Sequence, residues 1–293
     1  MLYNVFMDKI TLKGNGKLNL SLNVLGKSNV YHTIESVVTT INMCDYLTAT
    51  KRLDNNIIVN CRGVDMEQNI ATKVARAITQ EFNLSGVTID IDKRIPFMAG
   101  LGGSSVDGAL TAYAYSKLFN LELDKIEAVV SPLASDIVFL MRGGLGILYG
   151  RGNEVKFVDS DTTLHFALIS FPVGLSTKYV YDSFDTDGRK YPMGDTQKLV
   201  DAIIQNKQNI IEGQLCNHLQ NVALNKIPVL EKFIADLAQN NIATPHMTGS
   251  GSSFFILASN EIGAKKIVST LLARGYDARY IKSQPFAIEI VQE

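Results

Sequence analysis

The chain has 293 residues, of which 46% are hydrophobic and 19% charged, and its formal net charge is −1. This length exceeds one typical compact core, so two domains are the default expectation. The near-zero charge excludes a globally basic surface for nucleic acid or anionic membrane, and the composition excludes disordered and fibrous classes. We therefore expect a globular protein without a nucleic-acid or membrane partner.

The N-terminus and the cysteines indicate a cytoplasmic protein. The N-terminal segment meets an acid before any long apolar stretch, so we expect no secretory signal. The richest apolar runs, at 137–141 and 254–258, are too short to cross a bilayer. Cys44, Cys61 and Cys216 are scattered and odd in number, without the spacing of a zinc site or a disulfide framework. We therefore expect a reducing compartment and no structural metal.

In the first half of the chain, strand-like and helix-like periodicities are mixed. Apolar alternation or short apolar runs predict strands at 17–25, 35–41, 56–61 and 87–92. Helical spacing of Ile70, Val74, Ala77 and Ile78 predicts a helix over 69–82, and further helices follow at 105–119 and 125–131. The glycine-punctuated segment 143–152 is typical of a strand that enters turns.

A second series of elements starts near residue 155. It comprises strands at 164–171, 253–257 and 287–291 and helices at 196–205, 229–239 and 261–274. The sequence thus predicts an α+β protein with one domain over 1–155 and another over 156–293.

Two glycine clusters fail the tests for common phosphate-binding loops. Gly26-Lys27-Ser28 ends like a Walker A loop, but the required leading glycine is Ser21. The cluster that begins at Gly100 opens like a dinucleotide fingerprint, but its third glycine position is Ser105 and no acid follows at the end of a strand. Protein-kinase and His-Glu-x-x-His signatures are absent from the sequence.

What remains is the run Gly-Leu-Gly-Gly-Ser-Ser-Val-Asp at 100–107, directly before a predicted helix. Bare backbone N–H groups, serine hydroxyls and a helix N-terminus can converge there on a polyphosphate. The alternative is a turn that needs glycine only for positive φ. A second Gly/Ser loop, Met-Thr-Gly-Ser-Gly at 247–251, would alone indicate a hairpin turn as readily as a site. One such loop in each half predicts a ligand between the domains.

These motifs, in this order, resemble the GHMP small-molecule kinases. The similar segments are Gly-Lys-Leu-Asn at 16–19, Tyr-His at 31–32, the loop at 100–107, Ala-Ser-Asp-Ile-Val-Phe at 134–139 and the loop at 247–251. The resemblance implies a ribosomal-S5-like N-terminal domain and a ferredoxin-like C-terminal domain with ATP between them. The Tyr-His pair and the segment that starts at Asn217 favour the branch that phosphorylates a cytidine-diphosphate sugar alcohol.

The resemblance also implies roles. Asp136 would be the catalytic base with Lys17 as the cation beside it, although without the resemblance Asp136 reads as a helix cap and Lys17 as a solvated side chain. Tyr31 and Tyr181 would sandwich a pyrimidine ring whose edge His32 reads. The other implied substrate contacts are Asn19, Thr177, Gly249, Ser250 and Gly251. The implied ATP contacts are Pro96, Gly100, Leu101, Gly102, Gly103, Ser104, Ser105 and Asn69, with Ser105 also near Mg²⁺.

Several positions depart from the family pattern. Asn29 and Val30 replace the usual Asp-Gly, Ser104 replaces a third glycine, and Val106 replaces the second serine of the ATP loop. Val138 stands where a proline is usual, and His218 where an acid is usual. Two alternatives therefore stay open, namely a GHMP kinase for a different small alcohol and a non-catalytic nucleotide-binding homologue. The sequence leaves monomer and homodimer as equal expectations.

Overall fold

A computed structural model describes residues 7–28 and 31–292, so Asn29 and Val30 lie outside the described residues. The strands are β1 Lys9–Asn19, β2 Ser21–Ser28, β3 Tyr31–Lys51, β4 Ile57–Cys61, β5 Val87–Asp92, β6 Leu145–Tyr149, β7 Glu154–Val158, β8 His165–Ser170, β9 Cys216–Asn217, β10 His246–Met247, β11 Phe254–Ala258, β12 Asp277–Gln284 and β13 Ile288–Gln292. The helices are α1 Ile70–Phe82, α2 Gly103–Leu118, α3 Leu123–Val130, α4 Ile137–Arg142, α5 Thr177–Asp187, α6 Thr196–Ile204, α7 Gln208–Gln214, α8 Gln220–Lys226, α9 Pro228–Gln239 and α10 Glu261–Ala273. In this part of the chain no helix has the length and apolarity needed to span a membrane.

The strand β3 organises the sheet. It is 21 residues long and rich in β-branched residues, and it pairs antiparallel with β1, β2, β5, β6 and β12. The main path runs β10-β11-β8-β12-β3-β1-β13, so β12 joins the C-terminal strands to β3. The last strand, β13, returns to pair with β1. The α+β fold class is confirmed.

Helices and strands enclose two hydrophobic cores. The first contains Leu18, Val74, Leu110 and Phe139 from the N-terminal half. It also takes in residues of the second half, among them Leu199 of α6. The second core is built around Val180, Leu230, Phe233, Phe254 and Leu271, together with a few residues of β2 and β3. The domain boundary at residue 155 stays a prediction.

Most predicted elements are present, and the differences have physical reasons. The strand β12 was not predicted, because only Ala278 and Ile281 of its eight residues are buried and no clear alternation results. The helix α4 begins directly after Asp136 and is only six residues long, which is too short for a periodic pattern. The helix α5 has one fully buried residue, Val180, so its apolar face is weak in the sequence.

Candidate active site

A large cavity is lined by residues of both halves of the chain and has a volume of about 1090 Å³. This volume is slightly above the range of about 300–1,000 Å³ for small-ligand pockets. All of the predicted site residues except Asn69 line it, which brings together residues from both halves of the sequence. Asn69 is buried, and its side chain accepts from the backbone N–H of Ala71 to cap α1.

The first glycine loop leads into the N-terminus of α2. Gly100 and Gly102 have φ values of +77° and +75°, which side chains with a Cβ rarely adopt. Gly102 precedes the first residue of α2, and the helix has no side-chain cap there. The first N–H groups of α2 therefore lack intrahelical acceptors at a point where Gly103, Ser104 and Ser105 line the cavity. This arrangement suits an anion.

The two glycine loops touch each other through their backbones. A Cβ added at Gly100 would lie 2.2 Å from the carbonyl oxygen of Thr248, and one added at Gly249 would lie 2.9 Å from that of Gly100. The backbone N–H of Ser253 donates to the carbonyl of Ala99 at 3.3 Å. The glycines therefore permit a close approach of the two halves, beyond what either turn needs by itself.

Two amide side chains hold the second glycine loop in place. The Nδ2 of Asn217 donates to the carbonyls of Met247 and Gly249, each at 2.8 Å. The backbone N–H of Met247 donates to the Oε1 of Gln220, also at 2.8 Å. The Asn217 segment thus acts on the site through the loop, since Asn217 itself does not line the cavity.

Lys17 and Asp136, which both line the cavity, form an ion pair. Lys17 Nζ lies 3.5 Å from Asp136 Oδ2, and Lys17 is only 5% exposed. Asp136 occupies the cap position of α4, yet its side chain makes no capping hydrogen bond. The carboxylate thus faces Lys17 and the cavity. Lys17 is therefore not a solvated side chain, and the Asp136 side chain does not act as a helix cap.

A hydrogen-bond network orients the Lys17 side chain. Its backbone N–H donates to the carbonyl of Leu101 at 3.0 Å, and its ammonium donates to the Oδ1 of Asn19. Asn19 in turn donates from Nδ2 to Ser36 Oγ at 2.7 Å, and its backbone N–H donates to Thr248 Oγ1 at 2.9 Å. The end of β1 is therefore tied to both glycine loops.

Aromatic side chains also line the cavity. The rings of His32 and Tyr181 lie 4.7 Å apart at 31°, and Tyr31 is 58% exposed with the Arg151 guanidinium 5.5 Å from its ring centroid. Burial raises the pKa of Tyr181, and the negative charge of Asp136 adds to this effect. The phenol is thus neutral at physiological pH, as suits a stacking surface.

A buried charged cluster lies under the first glycine loop. Lys93 Nζ donates to Asp45 Oδ2 at 2.6 Å, to Asp107 Oδ2 at 2.7 Å and to the carbonyl of Gly103 at 2.7 Å. All three side chains are at most 5% exposed. Burial raises the pKa of Asp107 to about 7. The ammonium has therefore used its three protons, and it links the start of α2 to Asp45 of β3.

Sequence reasoning missed several residues around the site. The cavity is also lined by Lys27, Lys93, Phe97, Met98 and Arg151, and Asp185 stands directly behind His32. Thr177, Tyr181 and Asp185 are spaced four residues apart, so the sequence could have indicated that they share one face of α5. For Lys27 and Lys93 the only indication in the sequence is that they stand close to the motifs. Val106 is 1% exposed and faces the core, so its side chain takes no space from the cavity.

The fold and this cavity define a small-molecule phosphotransferase. Comparison with known proteins gives the same class. The model "GHMP kinases N terminal domain" matches residues 69–144. The chain is 31% identical to 4-diphosphocytidyl-2-C-methyl-D-erythritol kinase of Brevibacillus brevis over 276 residues, covering 92% of this chain and 93% of the relative. The enzyme of the same name from Bacillus cereus is 30% identical, covering 90% and 93%. The chain belongs to the GHMP kinase family.

Solved structures show the same fold. A crystal structure of 4-(cytidine 5'-diphospho)-2C-methyl-D-erythritol kinase aligns with a TM-score of 0.76 at 22% identity, covering 94% of this chain and all of the other. The homoserine kinase of Cytophaga hutchinsonii aligns with a TM-score of 0.77 at 16% identity, covering 99% and 100%. Because these identities are low, the structures establish only the architecture, and the family assignment rests on the relatives named above.

Proposed function

We propose that the protein transfers the γ-phosphoryl group of ATP to the 2-hydroxyl of 4-diphosphocytidyl-2-C-methyl-D-erythritol, in the cytoplasm. The observation that carries the proposal is the ion pair of the buried Lys17 with Asp136, which lines the same cavity as the glycine loops and the aromatic side chains. The relatives from Brevibacillus brevis and Bacillus cereus bear the name of this kinase and match the chain almost end to end.

In this proposal each residue of the site has its own role in the reaction. Asp136 Oδ2 accepts the hydroxyl proton as the hydroxyl oxygen attacks the γ-phosphorus of ATP, and the bond from that phosphorus to the bridging oxygen breaks to release ADP. Lys17 Nζ, held by Asn19, stabilises the negative charge that develops on the transferring group. The N–H groups at the start of α2 bind donor phosphates, while Tyr31, Tyr181 and His32 bind the cytosine ring.

The part of the cavity that is lined by the first glycine loop also suits Mg²⁺. Such sites need one or two protein oxygens and complete their shell with water and phosphate oxygens. Among the residues that line the cavity, the Ser104 and Ser105 hydroxyls and the Asp136 carboxylate could supply such oxygens. No group of three His, Cys, Asp or Glu side chains with metal-binding geometry occurs in residues 7–28 and 31–292, which fits a metal held mainly by ATP. When bound, Mg²⁺ neutralises phosphate charge.

The test is a coupled ADP-release assay on the purified protein with a panel of alcohols. The panel comprises the cytidylyl compound, mevalonate, phosphomevalonate and homoserine, and we expect turnover with the first. The Asp136→Asn variant should lose about 100-fold or more in kcat and still bind ATP. Asp201→Asn serves as the control, because Asp201 is exposed on α6 and its carboxylate accepts a hydrogen bond from Gln197 of the same helix.

Each other result selects a different function. Turnover with another alcohol alone would assign a different substrate to the same site. ATP binding without turnover on any alcohol would make the protein a non-catalytic homologue.

A further inference from the structure

The carboxylate of Asp185 bridges two residues of the β2–β3 hairpin. Its Oδ1 lies 2.5 Å from His32 Nε2, and its Oδ2 accepts from Lys27 Nζ at 2.6 Å. Lys27 and His32 are cross-strand partners at the end of β2 and the start of β3, so one side chain of α5 contacts both strands. Asp185 does not line the cavity itself and was not recognised from the sequence.

This contact determines which nitrogen of His32 carries the hydrogen. The Lys27 ammonium, followed by His32, lowers the pKa of Asp185, so the carboxylate is ionised at neutral pH. An ionised carboxylate only accepts hydrogen bonds, so Nε2 of His32 must be the donor. In the neutral ring, Nδ1 is then an acceptor.

Neighbouring rings fix the orientation of His32. The Tyr181 ring lies at 4.7 Å and the Phe184 ring meets it edge-on at 6.5 Å. The His32 side chain is 9% exposed, yet the residue lines the cavity. The ring is therefore confined on several sides while part of it faces the ligand space.

We propose that Asp185 is a positioning residue that holds His32 in the Nε2–H tautomer, so that Nδ1 accepts from the exocyclic amino group of cytosine. Uracil has a carbonyl oxygen at the same ring position, which would place one acceptor against another. A site built to pair with one hydrogen-bonding group discriminates strongly against a ligand that lacks it. Asp185 thereby selects cytidine over uridine. This inference rests on the proposed function.

A purely structural role would act differently. If Asp185 only tied α5 to the hairpin, the loss of its Lys27 contact would have the same consequence as the loss of its His32 contact. The Lys27→Met variant removes the first contact and leaves the second. Our inference predicts that Lys27→Met weakens binding of cytidine and uridine compounds alike and keeps their ratio.

The experiment compares the cytidine-diphosphate sugar alcohol with its uridine analogue in the wild type and in Asp185→Asn and Asp185→Leu. Calorimetric binding without ATP and steady-state kinetics with ATP are both measured. The amide of Asp185→Asn can donate as well as accept, so it no longer fixes the tautomer. We expect each variant to lose roughly tenfold in the cytidine-to-uridine ratio, through Kd and KM of the cytidine compound and with little change in kcat.

Controls keep the outcomes separate. Asp185→Glu should restore part of the ratio, Asp201→Asn should leave it unchanged, and urea unfolding confirms that each variant is folded. If the wild type neither binds nor phosphorylates the cytidine compound, the proposed function fails and this inference with it. If the wild type prefers cytidine and folded Asp185→Asn and Asp185→Leu keep that preference, or Lys27→Met loses it equally, only the role of Asp185 is refuted.

Discussion

The contact between the two glycine loops makes a sharp prediction for Gly100→Ala. The added methyl group would lie 2.2 Å from the Thr248 carbonyl oxygen, where ordinary contact begins near 3.4 Å. That carbonyl also accepts from the backbone N–H of Gly251 at 3.0 Å, so it is not free to turn away. The loops must therefore separate, and a displacement of about 1 Å at a catalytic site costs on the order of 100-fold in rate.

Gly275→Ala separates the cost of backbone conformation from the cost of the collision. Gly275 has φ of +85° after α10, and a Cβ there meets no atom within 4 Å. Its variant should lose about 1–2 kcal/mol of stability from the left-handed conformation alone. Gly100→Ala adds the collision to a similar strain, so it should be less stable than Gly275→Ala.

The assays are urea unfolding for stability and kinase kinetics for the site. Gly100→Ala should raise KM for ATP and lower kcat, whereas Gly275→Ala should keep both. The reasoning would be refuted if the two variants lost the same stability and if Gly100→Ala retained wild-type kinetics. That result would mean that the loops separate without consequence for the donor site.

Two further predictions concern residues outside the cavity. Because burial raises the pKa of Asp107 to about 7, against 3.8 in the unfolded chain, the folded state holds the proton longer and stability should fall as pH rises from about 4 to 7, by at most about 1.4 kcal/mol per pH unit. Asp107→Asn should flatten this slope in urea unfolding at pH 4.5 and 7.5, and an unchanged slope would contradict the assignment. Asn217→Ala removes two hydrogen bonds to the Met247 and Gly249 carbonyls and the one that its Oδ1 accepts from the backbone N–H of Leu219, and it should cost about 2–3 kcal/mol. The variant should also lower kcat/KM. Full activity would instead show that the second glycine loop keeps its conformation without Asn217.

Motifs that are local in sequence were predictable. The glycine loops carry their conformational requirement in their own residues, and Lys17 and Asp136 each stand inside a short motif of a known family. The structure brings those motifs into one cavity. The sequence order alone contains no information on that distance, and the resemblance supplied it.

Charged pairs that are distant in sequence were not predictable. Lys27 and Asp185 are 158 positions apart, and Lys93 and Asp45 are 48 apart. Each residue looks like an ordinary solvated charge, because no periodicity or spacing links the partners. The strand β12 was missed for a related reason, since its place between β8 and β3 depends on pairing partners and its own residues show no clear alternation.

The near-neutral charge of the chain also reflects how the cavity is built. In the described residues, most cations that line it already face a carboxylate: Lys17 with Asp136, Lys27 with Asp185, Lys93 with Asp45 and Asp107, and Lys178 with Asp182. Arg151 instead donates to backbone carbonyls and lies over Tyr31. A site with its cations paired in this way leaves much of the phosphate recognition to backbone N–H groups, which add nothing to the net charge. A formal charge of −1 is therefore compatible with two polyphosphate ligands, because most of the groups that would bind them are backbone N–H groups without a formal charge.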